Sequence, residues 1–165
     1  ASFMTRWSVD YNSKGEDFES SEKLTDMLGE FPRIDDRYAT QQHDYGWLLV
    51  MDQSLPFNGQ GGRASGLMLN KLGYMDFLTG NQSEWWCGPD SVIQEPCFIP
   101  RSPDAPQGDG YLIALVDDIE NNYSALAILD AQAIEEGPIG QVKLPFRLRQ
   151  GLHGNWADER KLSAA

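Results

Sequence analysis

An all-β fold is the prediction of this sequence, and three observations carry it. Apolar and polar residues alternate with a period of two rather than 3.6. The apolar segments are short and rich in aromatic and β-branched residues. Gly, Pro, Asn or Asp bounds each of them, at intervals of roughly 8–15 residues. About ten strands fit that spacing, and a sandwich, a barrel and a propeller all accommodate them. Two details favour a propeller: a hairpin turn that follows an aspartate (LDAQAIEEGP after residue 128), and connections long enough to reach a shared axis. The internal repeat is too irregular to count blades.

The elements follow in order. Residues 5–10 (TRWSVD) alternate and then turn at 12–15 (NSKG). Residues 16–28 carry Phe18, Leu24 and Leu28 at loose spacing, which permits a helical turn, but an edge strand fits better. The run 45–51 (YGWLLVM) reads as a buried strand, followed by a polar, Gly/Pro-rich loop over 52–66. Within that loop the run 58–63 (NGQGGR) precedes no helix start, so a flexible loop is expected rather than a phosphate cradle. Strands are predicted at 67–72 and, as its partner, at 73–77, closed by a turn at 78–81 (LTGN). Further strands are expected at 84–87, 92–100, 110–117, 123–129 and 139–144. The loops 52–66 and 101–109 are the connections most suited to function or motion.

Composition excludes several function classes. The 165 residues suffice for one domain or part of a larger one. Thirteen Lys and Arg against 25 Asp and Glu give a net charge of −12. Such a chain repels phosphate backbones and anionic lipid, so neither a nucleic-acid partner nor membrane attachment is expected. No apolar run approaches the ~20 residues of a spanning helix, and the start ASFMTRW lacks a leader's apolar core. Cys87 and Cys97 lack a CxxC spacing; buried thiols in a reducing, cytoplasmic setting are expected. Residues 143–165 reverse the charge, and Lys143, Arg147 and Arg149 read as a solvated face or a charge-protected sheet edge. Tyr45, Trp47, Trp85 and Trp86 are expected to pack between blades.

Few residues offer chemistry. His43 lies in a polar segment and reads as a surface-loop residue. His153 sits in Gly151-Leu152-His153-Gly154, where glycines let the backbone enter a crowded centre and aim the imidazole inward. Glu30 (GEFPR) and Glu95 (QEPCFIPR) stand beside prolines among apolar neighbours. A buried glutamate needs a partner. Arg33 or Arg101 fits that need; a metal-bound imidazole with its second N–H on the carboxylate is the sharper alternative. No HxxxH, Cys/His cluster, nucleophile elbow or phosphate loop completes a site within the chain.

The stretches EFPRIDDRY (30–38), QEPCFIPR (94–101), DGYLIALVDD (109–118), LAILDA (126–131) and VKLPFRLRQGLHGNW (142–156) together resemble the C-terminal part of the carotenoid cleavage oxygenase superfamily. The wording around RASGLMLNKLGYMDFLTG (63–80) and WWCGP (85–89) is most similar to its lignostilbene dioxygenase and isoeugenol-cleaving members. The resemblance implies the C-terminal blades of a seven-bladed β-propeller, with residues 1–165 forming part of a single oxygenase domain. It implies Fe(II) on the axis, held by four histidines backed by three glutamates. His153 matches the last of those histidines, and Glu30 and Glu95 match two of the glutamates. The other ligands are expected upstream of these residues, so the chain alone is expected to bind iron poorly and to be inactive. The implied reaction is cleavage of the conjugated C=C bond of a phenolic stilbene or phenylpropanoid with O2, giving aromatic aldehydes such as vanillin. Expected partners are the small aromatic alkene, O2 and the upstream part of the propeller, with an oligomer possible. Leu152 and Phe146 are tunnel-wall candidates by position only, and core packing is the better reading of Phe146. A carotenoid or apocarotenoid substrate and a non-catalytic propeller binding module are the alternatives; a lactonase-type propeller lacks its ligand cluster here.

Overall fold

Among the described residues, period-two alternation builds ten strands in two antiparallel sheets. The computed structural model describes residues 2–15, 17–58 and 69–162. Strands β1 (Phe3–Ser8), β2 (Ser20–Arg33), β3 (Tyr45–Val50), β4 (Lys71–Asp76) and β5 (Gln82–Trp86) form the first sheet in that order. The second contains β6 (Ser91–Ile93), β7 (Cys97–Pro100), β8 (Gly110–Asp118), β9 (Tyr123–Asp130) and β10 (Gly140–Lys143). Its path is β10-β9-β8-β6, and β7 also pairs with β8. Single helical turns at Asp36–Tyr38, Ile134–Glu136 and Glu159–Leu162 complete the described elements. Among the described residues no helix is long and apolar enough to cross a membrane.

Three elements differ from expectation. The strand expected over 92–100 is two pieces on one edge: β6 faces residues 116–118 of β8, and β7 faces 110–113. Pro96, which has no N–H for a ladder, lies in the break between them. The pair expected at 67–72 and 73–77 is one strand, Lys71–Asp76, running through Gly73. Gly73 lies between Leu48 of β3 and Glu84 of β5, and a Cβ there would stand 2.6 Å from Met27 Sδ and 2.8 Å from Leu48 Cδ2. Close approach, not a turn, is what requires this glycine. Residues 67–68, most of the expected loop 58–63, and Glu16 lie outside the described residues. The weak edge strand of 16–28 is instead the first part of a 14-residue strand, second of five in its sheet. Its first part pairs with β1 and its last with β3. Between Glu30 and Arg33 the register with β3 shifts, where Phe31 takes φ 55° and Pro32 lacks an N–H.

The sheets share one core. Trp47 of β3 is fully buried, stacks on Phe98 of β7 with ring centres 4.9 Å apart, and donates from Nε1 to the Ala131 carbonyl at 2.7 Å. Leu49, Leu72, Ile93, Leu112 and Leu129 close around that contact from both sheets. Packing between sheets is thus the role of Trp47, as expected of it. Tyr45 stacks beside Tyr74 at 6.2 Å, and Trp85 packs half-buried against the core. Phe146 differs: it is exposed, because the segment after β10 runs over the surface and does not enter the core. The loop 101–109 is tied down by Arg37, which pairs with buried Asp35 and donates to the Pro103 and Ala105 carbonyls at 3.0 Å.

Candidate metal centre around His153

The break between β6 and β7 frees Glu95 from the ladder and turns its side chain inward. Only 6% of that side chain is exposed. Its Oε2 accepts the Gly154 N–H at 2.9 Å and lies 3.3 Å from His153 Nδ1. Its Oε1 is 3.4 Å from Nη1 of Arg33, at the end of β2. Arg33 also donates to Asn155 Oδ1 at 3.1 Å, so one guanidinium holds both the carboxylate and the far side of the His153 loop. This arrangement answers the desolvation of Glu95 with a cation and a backbone donor. The ring of Phe31, turned by the bulge in β2, meets the imidazole edge-on at 5.4 Å.

A carboxylate only accepts, so the contact places the imidazole proton on Nδ1 and leaves the lone pair on Nε2. That is the tautomer and support of a metal-bound histidine. A neutral imidazole suits ferrous iron, and the donor chemistry fits one ligand of such a site. It does not supply the rest: no group of three His, Cys, Asp or Glu able to hold a metal occurs among the described residues. The His153 side chain is 74% exposed, with Nε2 facing away from its support.

Of the three residues singled out in the sequence, the fold brings His153 and Glu95 together. Glu30 is exposed on β2, opposite Leu49, and accepts the Ser2 hydroxyl at 2.9 Å. It stands next in sequence to Phe31, without itself bonding to His153 or Glu95. His43 is half-buried, edge-on to Phe77 at 5.8 Å. Burial pushes the Cys87 thiol up to about 12, so it is not a thiolate at neutral pH. Sequence reasoning left open which arginine pairs with Glu95; Arg33 does, while Arg101 holds Asp109 and Asp130. It missed Gln94, Asp117 and Ser124, which are buried together behind the His153 loop. The available signal was the polar Gln94-Glu95 pair between two apolar strands, where an unpartnered side chain would be costly.

Two antiparallel sheets on one core, with a carboxylate-supported imidazole at a strand break, define the class: an all-β protein with a histidine held by a buried glutamate. The sequence profile described as Retinal pigment epithelial membrane protein matches residues 1–158, and the chain belongs to that family, the carotenoid oxygenases. It is 53% identical over 163 residues to the lignostilbene-α,β-dioxygenase isozyme III of Sphingomonas paucimobilis, covering 99% of this chain and 33% of that protein. It is 42% identical over 153 residues to the isoeugenol monooxygenase of Pseudomonas putida, covering 93% of this chain and 32% of that protein. The crystal structure of Pseudomonas brassicacearum lignostilbene dioxygenase superposes with a TM-score of 0.85 at 41% identity, over 93% of this chain and 32% of that one. The chain thus spans about a third of the length of these relatives. The propeller expected from the sequence is the architecture of these neighbours, and the family is iron-dependent.

Proposed function

We propose that this chain is part of a non-haem Fe(II) oxygenase that cleaves the conjugated C=C bond of a phenolic stilbene or phenylpropanoid with O2, giving aromatic aldehydes. The observation that carries the reading is the His153–Glu95 couple, present in a chain 53% identical to a lignostilbene dioxygenase. His153 would hold the iron through Nε2, and Glu95 and Glu30 would compensate its charge from behind the ligands. Ferrous iron, when bound, supplies the activation of dioxygen. The chain's own residues do the rest of what is assigned to it here. Glu95 keeps the proton on Nδ1, Arg33 holds Glu95 in place, and the edge of Phe31 limits rotation of the ring. Leu152, Phe31, Leu49 and Ile93 line a small apolar cavity of about 160 Å³ beside Glu95, which would form only part of the wall of an aromatic-substrate site.

The test uses the complete propeller loaded with Fe(II), given a 4-hydroxystilbene, isoeugenol and an apocarotenal, each with and without oxygen. Oxygen-dependent aromatic aldehydes from one of the first two are expected. Cleavage of the apocarotenal alone would move the protein to carotenoid substrates, and no cleavage of any of them with iron bound would contradict the reading.

A further inference from the structure

Residues 144–158 contain no strand or helix, yet they carry His153. Their backbone donors must therefore find acceptors outside a ladder. Three amides at three-residue intervals do so on side chains of β9 and of the break between β6 and β7. The Leu148 N–H donates to Ser124 Oγ at 2.9 Å, Gly151 to Gln94 Oε1 at 3.0 Å, and Gly154 to Glu95 Oε2 at 2.9 Å. Asp117 of β8 joins the first two acceptors. It is 1% exposed, and it accepts from Gln94 Nε2 at 2.8 Å and from the Ser124 hydroxyl. No cation pairs with it among the described residues. Because a carboxylate only accepts, Gln94 must turn its NH2 toward Asp117 and its oxygen toward Gly151. The same NH2 lies 3.5 Å from the Arg149 carbonyl, a second donation in that direction. The main chain pins the base of the device, with Gln94 N–H bonded to the Leu115 carbonyl and Leu144 N–H to that of Ser124.

We infer that Gln94, oriented by Asp117, is a positioning residue for His153: it fixes Gly151 while neighbouring Glu95 fixes Gly154, so the imidazole is held from both sides at the break between β6 and β7. The inference rests on the reading of His153 as an iron ligand. Gln94 touches neither metal nor substrate; it acts by limiting where the imidazole can stand. Residues that orient a ligand in this way characteristically carry a 10–100-fold share of metal affinity.

The experiment compares Gln94→Met, Ser124→Ala and His153→Ala with the parent in the complete protein. It reads Fe(II) affinity, the absorption bands of the Co(II)-loaded form, amide exchange of the iron-free form, and thermal stability. Gln94→Met, of similar shape but without the amide, is expected to speed exchange at Gly151, alter the Co(II) bands, and weaken Fe(II) binding about tenfold. Ser124→Ala is milder: it severs the Leu148 arm and the hydroxyl bond to Asp117 but leaves the Gln94 bonds to Asp117 and Gly151; a smaller loss of affinity with faster exchange at Leu148 is expected. A structural role alone would lower thermal stability with affinity and Co(II) bands unchanged in the folded variants, and that result overturns the inference. Loss of iron in His153→Ala with parental affinity in Gln94→Met overturns it while leaving the ligand assignment standing. Parental iron binding in His153→Ala sinks the ligand assignment and the inference together.

Discussion

Glu95 decides what His153 can do, because among the described residues it is the acceptor within reach of Nδ1. Changing it to Gln keeps the shape and one acceptor but removes the charge shared by Arg33, Gly154 and His153. In the complete protein, Glu95→Gln is expected to weaken Fe(II) binding about tenfold, read by chelator competition. Glu95→Ala also removes the nearer carboxylate of the largely buried Arg33 and leaves it Asp36 at 3.9 Å, and a further stability loss of about 2 kcal/mol in denaturant titration is expected. A second charged residue sets an acid limit. Lys71, 2.8 Å from Asp52, donates to that carboxylate and is the main cause that lowers it from 3.8 to about 2, helped by Ser54. A depressed carboxylate contributes stability that is complete above its ordinary value and lost as pH falls through the lowered one. Between pH 4 and 2 the parent should therefore lose thermal stability more steeply than Lys71→Met. Equal slopes, followed by circular dichroism, would contradict that coupling.

At the scale of elements, β8 and β9 are legible because each alternates over its length and both lie between pairing neighbours. β2 is not legible: Ser20, Ser21, Glu22 and Lys23 are exposed, so no apolar face announces the strand. Gly73 reads as the start of a second strand because its reason is tertiary, the side chains of Met27 and Leu48 against its backbone. The break at Pro96 is visible as a proline, but its use, to bury Glu95, needs Arg33 and Gly154 from elsewhere in the chain. Half of the candidate site could be read as residue types in that way. The other half is the packing that brings Gln94, Asp117 and Ser124 beneath a segment 24 or more positions further on. The join between the sheets is Trp47. Trp47→Ala removes the stack on Phe98 and the bond to Ala131 and should cost about 3–5 kcal/mol in urea unfolding. Trp47→Phe, which retains a ring, should cost less.

At the scale of the molecule, the chain is a strongly acidic, all-β unit that presents one prepared imidazole and no complete metal cluster among its described residues. The 165 residues alone are therefore expected to bind Fe(II) no better than their His153→Ala variant, measured by titration under anaerobic conditions. The complete propeller is expected to bind it tightly. The most direct measurement is a crystal structure of the complete, Fe(II)-loaded protein with anomalous data at the iron edge. An iron peak at coordinating distance from His153 Nε2, with Nδ1 still facing Glu95, is the expected result. Iron held elsewhere, or an imidazole turned away from Glu95, would contradict the assignment of this chain's one prepared histidine to the metal.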